Sequence, residues 1–367
     1  MPRYIYQVKN WPHFTWDEEK FMRLLIEVRH KQGRLLGQMQ GLGFNLQNEA
    51  NLHTLTLDVL KSSEIEGEIL DADQVRSSIA RRLGLDIAGV VPVDQNVEGV
   101  VEMMLDATQN FKAPLTDERM FGWHAALFPT GRSGMHKIVV GNWRDNDKTD
   151  PIQVVSGPMG RETVHYQAPD ADVLPDEMAA FLKWFNAETN PDPVIKAAIA
   201  HLWFVTIHPF DDGNGRIARA IGDMQLARSD NSSNRFYSMS AQIRKERNAY
   251  YDILERTQKD TLDVTEWLQW FLGCLDRALS ATDKTLAKVL QKAQFWEKHA
   301  LVSLNARQKI MMSKLLDGFV GKLNSSKWAK ITKSSSDTAV RDINDLVQKG
   351  ILQKDEAGGR STSYSLK

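Results

Sequence analysis

The stretch PVIKAAIAHLWFVTI at 193–207 constrains the fold most. It reads as a strongly apolar helix, and a helix without a broad polar face belongs inside a core rather than on a surface. His208 and Pro209 follow, and the proline helps to end it. The elements around it must therefore be layers that cover a central helix. Helical periodicity dominates the chain, predicting helices over 17–40, 48–66, 95–110, 117–127, 175–187, 193–206, 215–228, 246–258 and 264–295. Strand signals are few. IQVVSG and ETVHYQAP flank the turn GPMGR, which predicts a β-hairpin over 152–167 as an appendage on a helical body. The expected fold class is mainly α.

With 367 residues, 42% hydrophobic and 25% charged, the chain is long enough for two or three domains with a real core. No apolar run approaches the ~20 residues of a membrane span. The opening MPRYIYQVKNWPHFTW lacks an apolar h-region and a small-residue cleavage site, so secretion is not expected. A single cysteine, Cys274, excludes an intrachain disulfide and a cysteine-rich metal site, and the expected location is cytoplasmic.

Residues 307–367 hold twelve Lys/Arg against six Asp/Glu, whereas the whole chain carries a net charge of −1. This predicts a separate basic module. Within it, helices are expected over 307–316, 325–332 and 336–349, the last with Val340, Ile343 and Val347 as its buried stripe. Two strands around a Gly-Gly turn follow. Three helices and a hairpin resemble a winged helix-turn-helix. Thr338, Arg341, Asp342, Asp345, Gln348 and Lys349 are expected on the open face of its third helix. Two carboxylates there oppose phosphate contact, so a protein-binding role is favoured over DNA binding. Arg360 and the lysines would supply only a weak basic wing.

The segment HPFDDGNGRIAR at 208–219 carries the chemistry. DDGNG provides glycines for an unusual backbone path, and RIARAIGDMQLAR begins a second helix. The loop thus enters a helix N-terminus, where free N–H groups and the dipole favour an anion. Arg216 and Arg219 are three apart on its first turn, and two guanidiniums at such a place suit several phosphates. Asp212 beside a phosphate site is a natural ligand for Mg²⁺, which takes few protein groups. His208, with an ordinary pKa near ~6.5, can accept a proton at neutral pH. Base, metal carboxylate and phosphate cradle together describe transfer from a nucleotide to a hydroxyl. His201, one heptad earlier, reads as a core histidine.

At every defined position this segment resembles the Fic motif, HPFx(D/E)GNGRxxR. The resemblance implies a Fic-type helical bundle with a β-hairpin flap, and the C-terminal pattern adds a winged helix-turn-helix to the expected fold. Its extent would be 1–94 for an N-terminal helical extension, 95–295 for the Fic domain and 300–367 for the last module. Proteins of this family mostly transfer AMP from ATP to a hydroxyl of a target protein. By resemblance, His208 deprotonates that hydroxyl and Asp212 holds Mg²⁺ or Mn²⁺. Gly213, Asn214 and Gly215 line the α/β-phosphate nest, Arg216 and Arg219 hold the β- and γ-phosphates, and Phe210 anchors the loop. Glycine at 215, rather than lysine, keeps the AMP-transferring pattern and departs from the Doc-type kinase variant. The hairpin is similar to the family's flap, with Val154 and Val155 as the flap residues that clamp a target chain by strand addition. IRKERNAYYDILERTQ resembles the segment closing the adenine pocket. Tyr250 and Tyr251 would touch the nucleotide there, and Gln258 stands where some relatives have asparagine. The alternative for the two tyrosines is a place in an amphipathic helix that fills the core.

A second motif lies far away. In SSEIEGEIL at 62–70, Ser62 and Glu66 share a helix face and Gly67 suits the C′ position that ends the helix. Glu66 then sits at a helix C-terminus, where the dipole disfavours an anion unless a cation is brought to it. The segment is similar to the Fic inhibitory motif (S/T)xxxE(G/N). That resemblance implies a Glu66–Arg219 pair which blocks the productive γ-phosphate position. The expected partners are ATP, an unidentified target protein, the chain itself through automodification, and a second copy in a homodimer. Forward transfer, removal of AMP by the same site, and a DNA-binding regulator with a nucleotide-sensing domain remain open at this point.

Overall fold

The computed structural model describes residues 3–87, 89–158, 160–188, 191–316, 318–319, 321–355 and 362–367. It divides into two compact units, Met1–Leu85 with Val91–Thr282, and Asp86–Val90 with Asp283–Lys367. Apart from Asp86–Val90, the stretch expected as an N-terminal extension packs within the first unit.

In the first unit, helices α1 (Met22–Gln40), α2 (Phe44–Ile65), α3 (Ala72–Arg82), α4 (Gln95–Gln109) and α5 (Asp117–Leu127) precede two short antiparallel pairs. These are β1 (Arg132–Ser133) with β2 (His136–Lys137), and β3 (Gln153–Ser156) with β4 (Thr163–Gln167). Then come α6 (Leu174–Asn186), α7 (Pro193–Ile207), α8 (Asn214–Asp230), α9 (Met239–Lys245), α10 (Arg247–Gln258) and α11 (Thr265–Lys298), of which the residues up to Thr282 belong to this unit.

The apolar helix is central, as its composition demands: every residue of α7 after Pro193 is buried. Asp192 caps it, accepting from the Val194 N–H at 2.8 Å, and Pro193 fills the first turn, where its missing N–H costs nothing. Its most extensive partner is α8, itself buried along most of its length, and α2, α4, α5 and α6 cover this pair.

Two helices were not expected. α3 has only Val75 and Ile79 as large buried apolar residues, too few for a periodic signal. Instead Asp71 caps it, and Ser78, Arg81 and Arg82 all meet Glu98 of α4. α9 has seven residues, less than two full turns of pattern. The first helix starts at Met22 rather than 17, after a 3₁₀ turn over Glu18–Lys20.

The second unit holds α12 (Ala306–Leu316), α13 (Ser325–Thr332), α14 (Ser336–Gln348) and the antiparallel pair β5 (Leu352–Lys354) and β6 (Tyr364–Leu366). The Gly-Gly turn and Arg360 lie outside the described residues. Its core gathers Met311, Met312, Leu323, Trp328, Ile343, Leu346 and Ile351.

The face of α14 differs from expectation. Ala339, Ile343 and Leu346 are buried, whereas Val340 is 42% exposed. Asp342 is buried too, paired with Arg307 at 2.7 Å and accepting from Asn305. Asp345 accepts from Gln308 and Lys349. The helix is phased by one residue, and Asp342 is covered by Arg307, which itself stays 40% exposed. Of the two carboxylates expected on the open face, Asp342 is therefore removed and Asp345 remains 43% exposed.

Candidate active site: a phosphate cradle latched by two glutamates

The α7–α8 loop bends at His208, which caps α7 in the left-handed region at φ 53°. A non-glycine residue there is strained by order 1–3 kcal/mol and needs outside support. Arg144 supplies it. This buried side chain donates from Nε to the His208 carbonyl at 2.8 Å and from Nη2 to the Pro169 carbonyl at 2.5 Å, while its own N–H reaches the Pro209 carbonyl. Phe210 is fully buried and stacks on His124, with ring centres 4.2 Å apart. Asn214 closes the loop by accepting from the Phe210 N–H at 3.0 Å and donating to its carbonyl at 2.7 Å. Its side chain is thus committed to the loop and leaves only backbone for a phosphate.

The His208 ring keeps one nitrogen free. Its Nδ1 faces the Val205 carbonyl at 3.2 Å, and a carbonyl can only accept, so Nδ1 carries the hydrogen and Nε2 keeps a free lone pair. Burial first, and the Arg144 guanidinium further, push its pKa down to about 4, against the weaker upward pull of the Val205 bond. The ring is therefore neutral at pH 7. His124 is likewise lowered to about 4 by burial. Its Nδ1 accepts from the Gly141 N–H, so Nε2 donates to the Asp212 carbonyl at 3.2 Å.

Gly213, at φ 83°, leads into α8, whose N-terminus no side chain caps. Its first N–H groups are the ready-made partners of an anion. Arg216 and Arg219 are both buried there, and each keeps one nitrogen, Arg216 Nε and Arg219 Nη1, with no hydrogen-bond partner. Buried guanidinium nitrogens left without an acceptor are rare and point to an anionic ligand. Asp212 receives the hydroxyl of Ser133 and the N–H of Gly213. Among the described residues no cluster of three or more His, Cys, Asp or Glu could cage a metal. A lone carboxylate fits an ion such as Mg²⁺ that would complete its shell with phosphate oxygens and water.

The second motif meets the first here. α2 ends in a Schellman turn: the Glu68 N–H donates to the Ser63 carbonyl at 3.0 Å, the Gly67 N–H to the Glu64 carbonyl at 3.2 Å, and Gly67 sits at φ 87°. The turn delivers Glu66 Oε1 to 2.7 Å from Arg219 Nη2. Ser62 holds the same guanidinium twice, accepting at Oγ and at its carbonyl, both at 2.9 Å. Burial opposes the Arg219 charge, and Glu66 more than offsets this, so the arginine's pKa is raised. Glu68, two residues on, was missed. It pairs with Arg216 at 2.8 Å, so both arginines are held by one helix end. The only signal was a second carboxylate just past the glycine in SSEIEGEIL.

A cavity of about 470 Å³ opens beside His208, Gly215 and Glu66, walled by α10 and by Val154 and Val155 of β3. That is the size range of small-molecule sites. Tyr250, Tyr251 and Gln258 line it. Tyr250 is otherwise a core residue, its hydroxyl 2.8 Å from His201 Nε2, so the core alternative holds for much of its ring. Tyr251 reaches the Ile65 carbonyl at 3.4 Å, and Arg247 takes the same carbonyl at 2.8 Å. Gln258 donates to Thr206 at 3.3 Å.

Residues 114–226 match the Fic/DOC family. The chain carries a Fic domain. Residues 4–85, which include the α2 segment carrying Ser62 and Glu66, match a domain of unknown function, DUF4172. The chain is 26% identical over 269 residues to the protein adenylyltransferase Fic of Culex quinquefasciatus, covering 72% of this chain and 47% of that protein. It thus spans about half the length of that relative. A solved Fic family protein from Desulfovibrio desulfuricans G20 shares the fold with a TM-score of 0.55 at 21% identity, over 97% of this chain and 98% of that one. A Fic domain containing signaling protein from Bacteroides thetaiotaomicron VPI-5482 does so with a TM-score of 0.51 at 20% identity, over 73% and 98%. Among the described residues no helix is long and apolar enough to cross a membrane.

Proposed function

We propose that this Fic-domain chain is an autoinhibited protein adenylyltransferase, moving AMP from ATP to a hydroxyl side chain of a target protein and releasing pyrophosphate. The observation that carries this reading is the pair of buried arginines at an uncapped helix N-terminus, each with an unpartnered nitrogen, beside the free Nε2 of a neutral His208. The relatives named protein adenylyltransferase support the same class.

In this mechanism Arg216 and Arg219 hold the outer phosphates, and the N–H groups of Asn214 and Gly215 face the inner ones, while that of Gly213 stays on Asp212 and its open backbone lines the nest. The target hydroxyl attacks the α-phosphorus as His208 Nε2 takes its proton. The bond from α-phosphorus to the bridging oxygen breaks, and pyrophosphate leaves. Asp212 would hold Mg²⁺, which when bound neutralises charge developing on the leaving group. Val154 and Val155 would offer a strand edge to the target chain. In the resting state Glu66 on Arg219 and Glu68 on Arg216 compete with the phosphates.

A second reading, removal of AMP from a modified target, is favoured by one observation: the Glu66 carboxylate lines the same cavity as His208 and could orient a water. The C-terminal unit is read as a winged-helix module that binds a protein partner, with nucleic acid as the competing ligand.

Glu66→Gly protein is incubated with cell lysate and ATP labelled on either the α- or the γ-phosphate, and incorporation is counted above that of the same lysate with Glu66→Gly/His208→Ala protein. Label in proteins from the α-position alone supports the proposal. Incorporation from γ-labelled ATP would replace it with a kinase, and no incorporation from either would overturn it.

A further inference from the structure

The flap contains a feature that nucleotide binding does not require. β3 and β4 pair Val154 with Tyr166 but Val155 with Val164, so His165 is the extra residue of a β-bulge. A bulge takes a side chain out of strict alternation and re-aims it. Here it turns the His165 ring between two partners. Nδ1 lies 2.6 Å from Glu255 Oε2 on α10, and Nε2 lies 2.6 Å from the Ser156 hydroxyl on the neighbouring strand. Glu255 is further held by Lys259 at 2.5 Å, and that bond first, then His165, keeps its carboxyl below the ordinary range. An ionised carboxylate only accepts, so Nδ1 carries the hydrogen. In the neutral ring Nε2 is then an acceptor, and the Ser156 O–H donates to it. The order serine, histidine, carboxylate is that of an activated nucleophile. Ser156 is exposed, and all three residues border the cavity that holds His208.

We propose that Ser156 is an acceptor for the chain's own nucleotidyl transfer, with His165 taking its proton and Glu255 holding the ring. The proposal rests on the adenylyltransferase reading. Ser156 Oγ forms a bond to the α-phosphorus of ATP, the bond from that phosphorus to the bridging oxygen breaks, pyrophosphate departs and the proton passes to His165 Nε2. The product is a phosphodiester on the flap at the mouth of the cavity. It would stand where a target strand has to pair, so self-modification would compete with modification of other proteins.

The experiment uses the full chain carrying Glu66→Gly, with α-labelled ATP and lysate proteins present, followed by peptide mapping by mass spectrometry. AMP on Ser156 is expected, lost in Ser156→Ala and retained in part in Ser156→Thr. His165→Ala should cut labelling of Ser156 by about 100-fold, the scale of a lost general base. AMP on lysate proteins with Ser156 unmodified sinks this inference alone. Equal labelling of Ser156 with and without the His165 ring also overturns it, leaving the three residues as a clip between flap and α10. Absence of transfer to any protein sinks both readings together.

Discussion

Glu66 Oε1 sits 2.7 Å from Arg219 Nη2, and the arginine is 2% exposed while a third of the glutamate side chain stays open. The cation is fixed in the core by Ser62, and the anion is the movable half. On the proposed function, an incoming γ-phosphate therefore has to displace only one carboxylate. Glu66→Gly should raise AMP incorporation from α-labelled ATP by roughly tenfold or more, the scale of removing a competing state. Arg219→Ala in that background should return it to baseline. Equal incorporation by wild type and Glu66→Gly would show that the pair is not inhibitory.

Glu68 is the second carboxylate of the latch, 2.8 Å from Arg216. Glu68→Ala alone should leave ATP binding weak, because Arg219 is still taken. Combined with Glu66→Gly it should tighten ATP several-fold beyond the single change, read by isothermal titration. No difference between single and double variants would mean that Arg216 gives up Glu68 without cost.

Gly215 faces the same carboxylate, and a Cβ there would collide with Glu66 Oε1. Gly215→Ala should cost up to about 1 kcal/mol in the wild-type chain, because the flexible end of Glu66 gives way only by loosening its pair with Arg219. With Glu66→Gly the cost should shrink by 0.5 kcal/mol or more, on the order seen for residues in contact. Urea unfolding of the four proteins closes the cycle, and additive effects would contradict the contact.

His208 is lowered to about 4, so it is deprotonated and competent at every pH well above that value. Protonation removes the lone pair, so transfer by Glu66→Gly should fall only as pH drops through about 4. Above pH 5 this group imposes no limb on the profile. An acid limb near 6.5, the ordinary histidine value, would contradict the downward shift. His208→Ala should lower transfer to lysate proteins about 100-fold or more while ATP affinity holds.

His201 is buried, and burial first, then Arg219, lowers its pKa to about 3. The unfolded chain binds a proton here near 6.5 and the folded chain does not. On this group's account stability is complete above about pH 6.5 and falls by about 1.4 kcal/mol per unit as pH drops below that, down to its folded pKa. His201→Asn should therefore reduce the stability difference between pH 7 and pH 5 by about 2 kcal/mol. An unchanged difference in urea midpoints would mean that the ring titrates alike in both states.

What the sequence determined by itself was local. An apolar helix with no polar face had to be central, and α7 is. Glycines and a run of polar residues had to make a loop entering α8, and Glu66-Gly67 had to end α2. The helix boundaries of the second unit were readable within two residues, because each follows from its own capping and period. All of these depend on residues a few positions apart. Tertiary structure alone decided which polar groups meet. Glu68 finds Arg216 across 148 positions, Arg144 finds the His208 carbonyl across 64, and Ser133 finds Asp212 across 79. Periodicity reports which face of a helix is apolar, but not which charge will be brought to it. That is why Asp342, polar by type, was expected in solvent and is buried on Arg307. The same limit hid His165: a strand pattern assigns side chains to alternate faces, and only the folded register contains the bulge that aims this ring at Glu255 and Ser156.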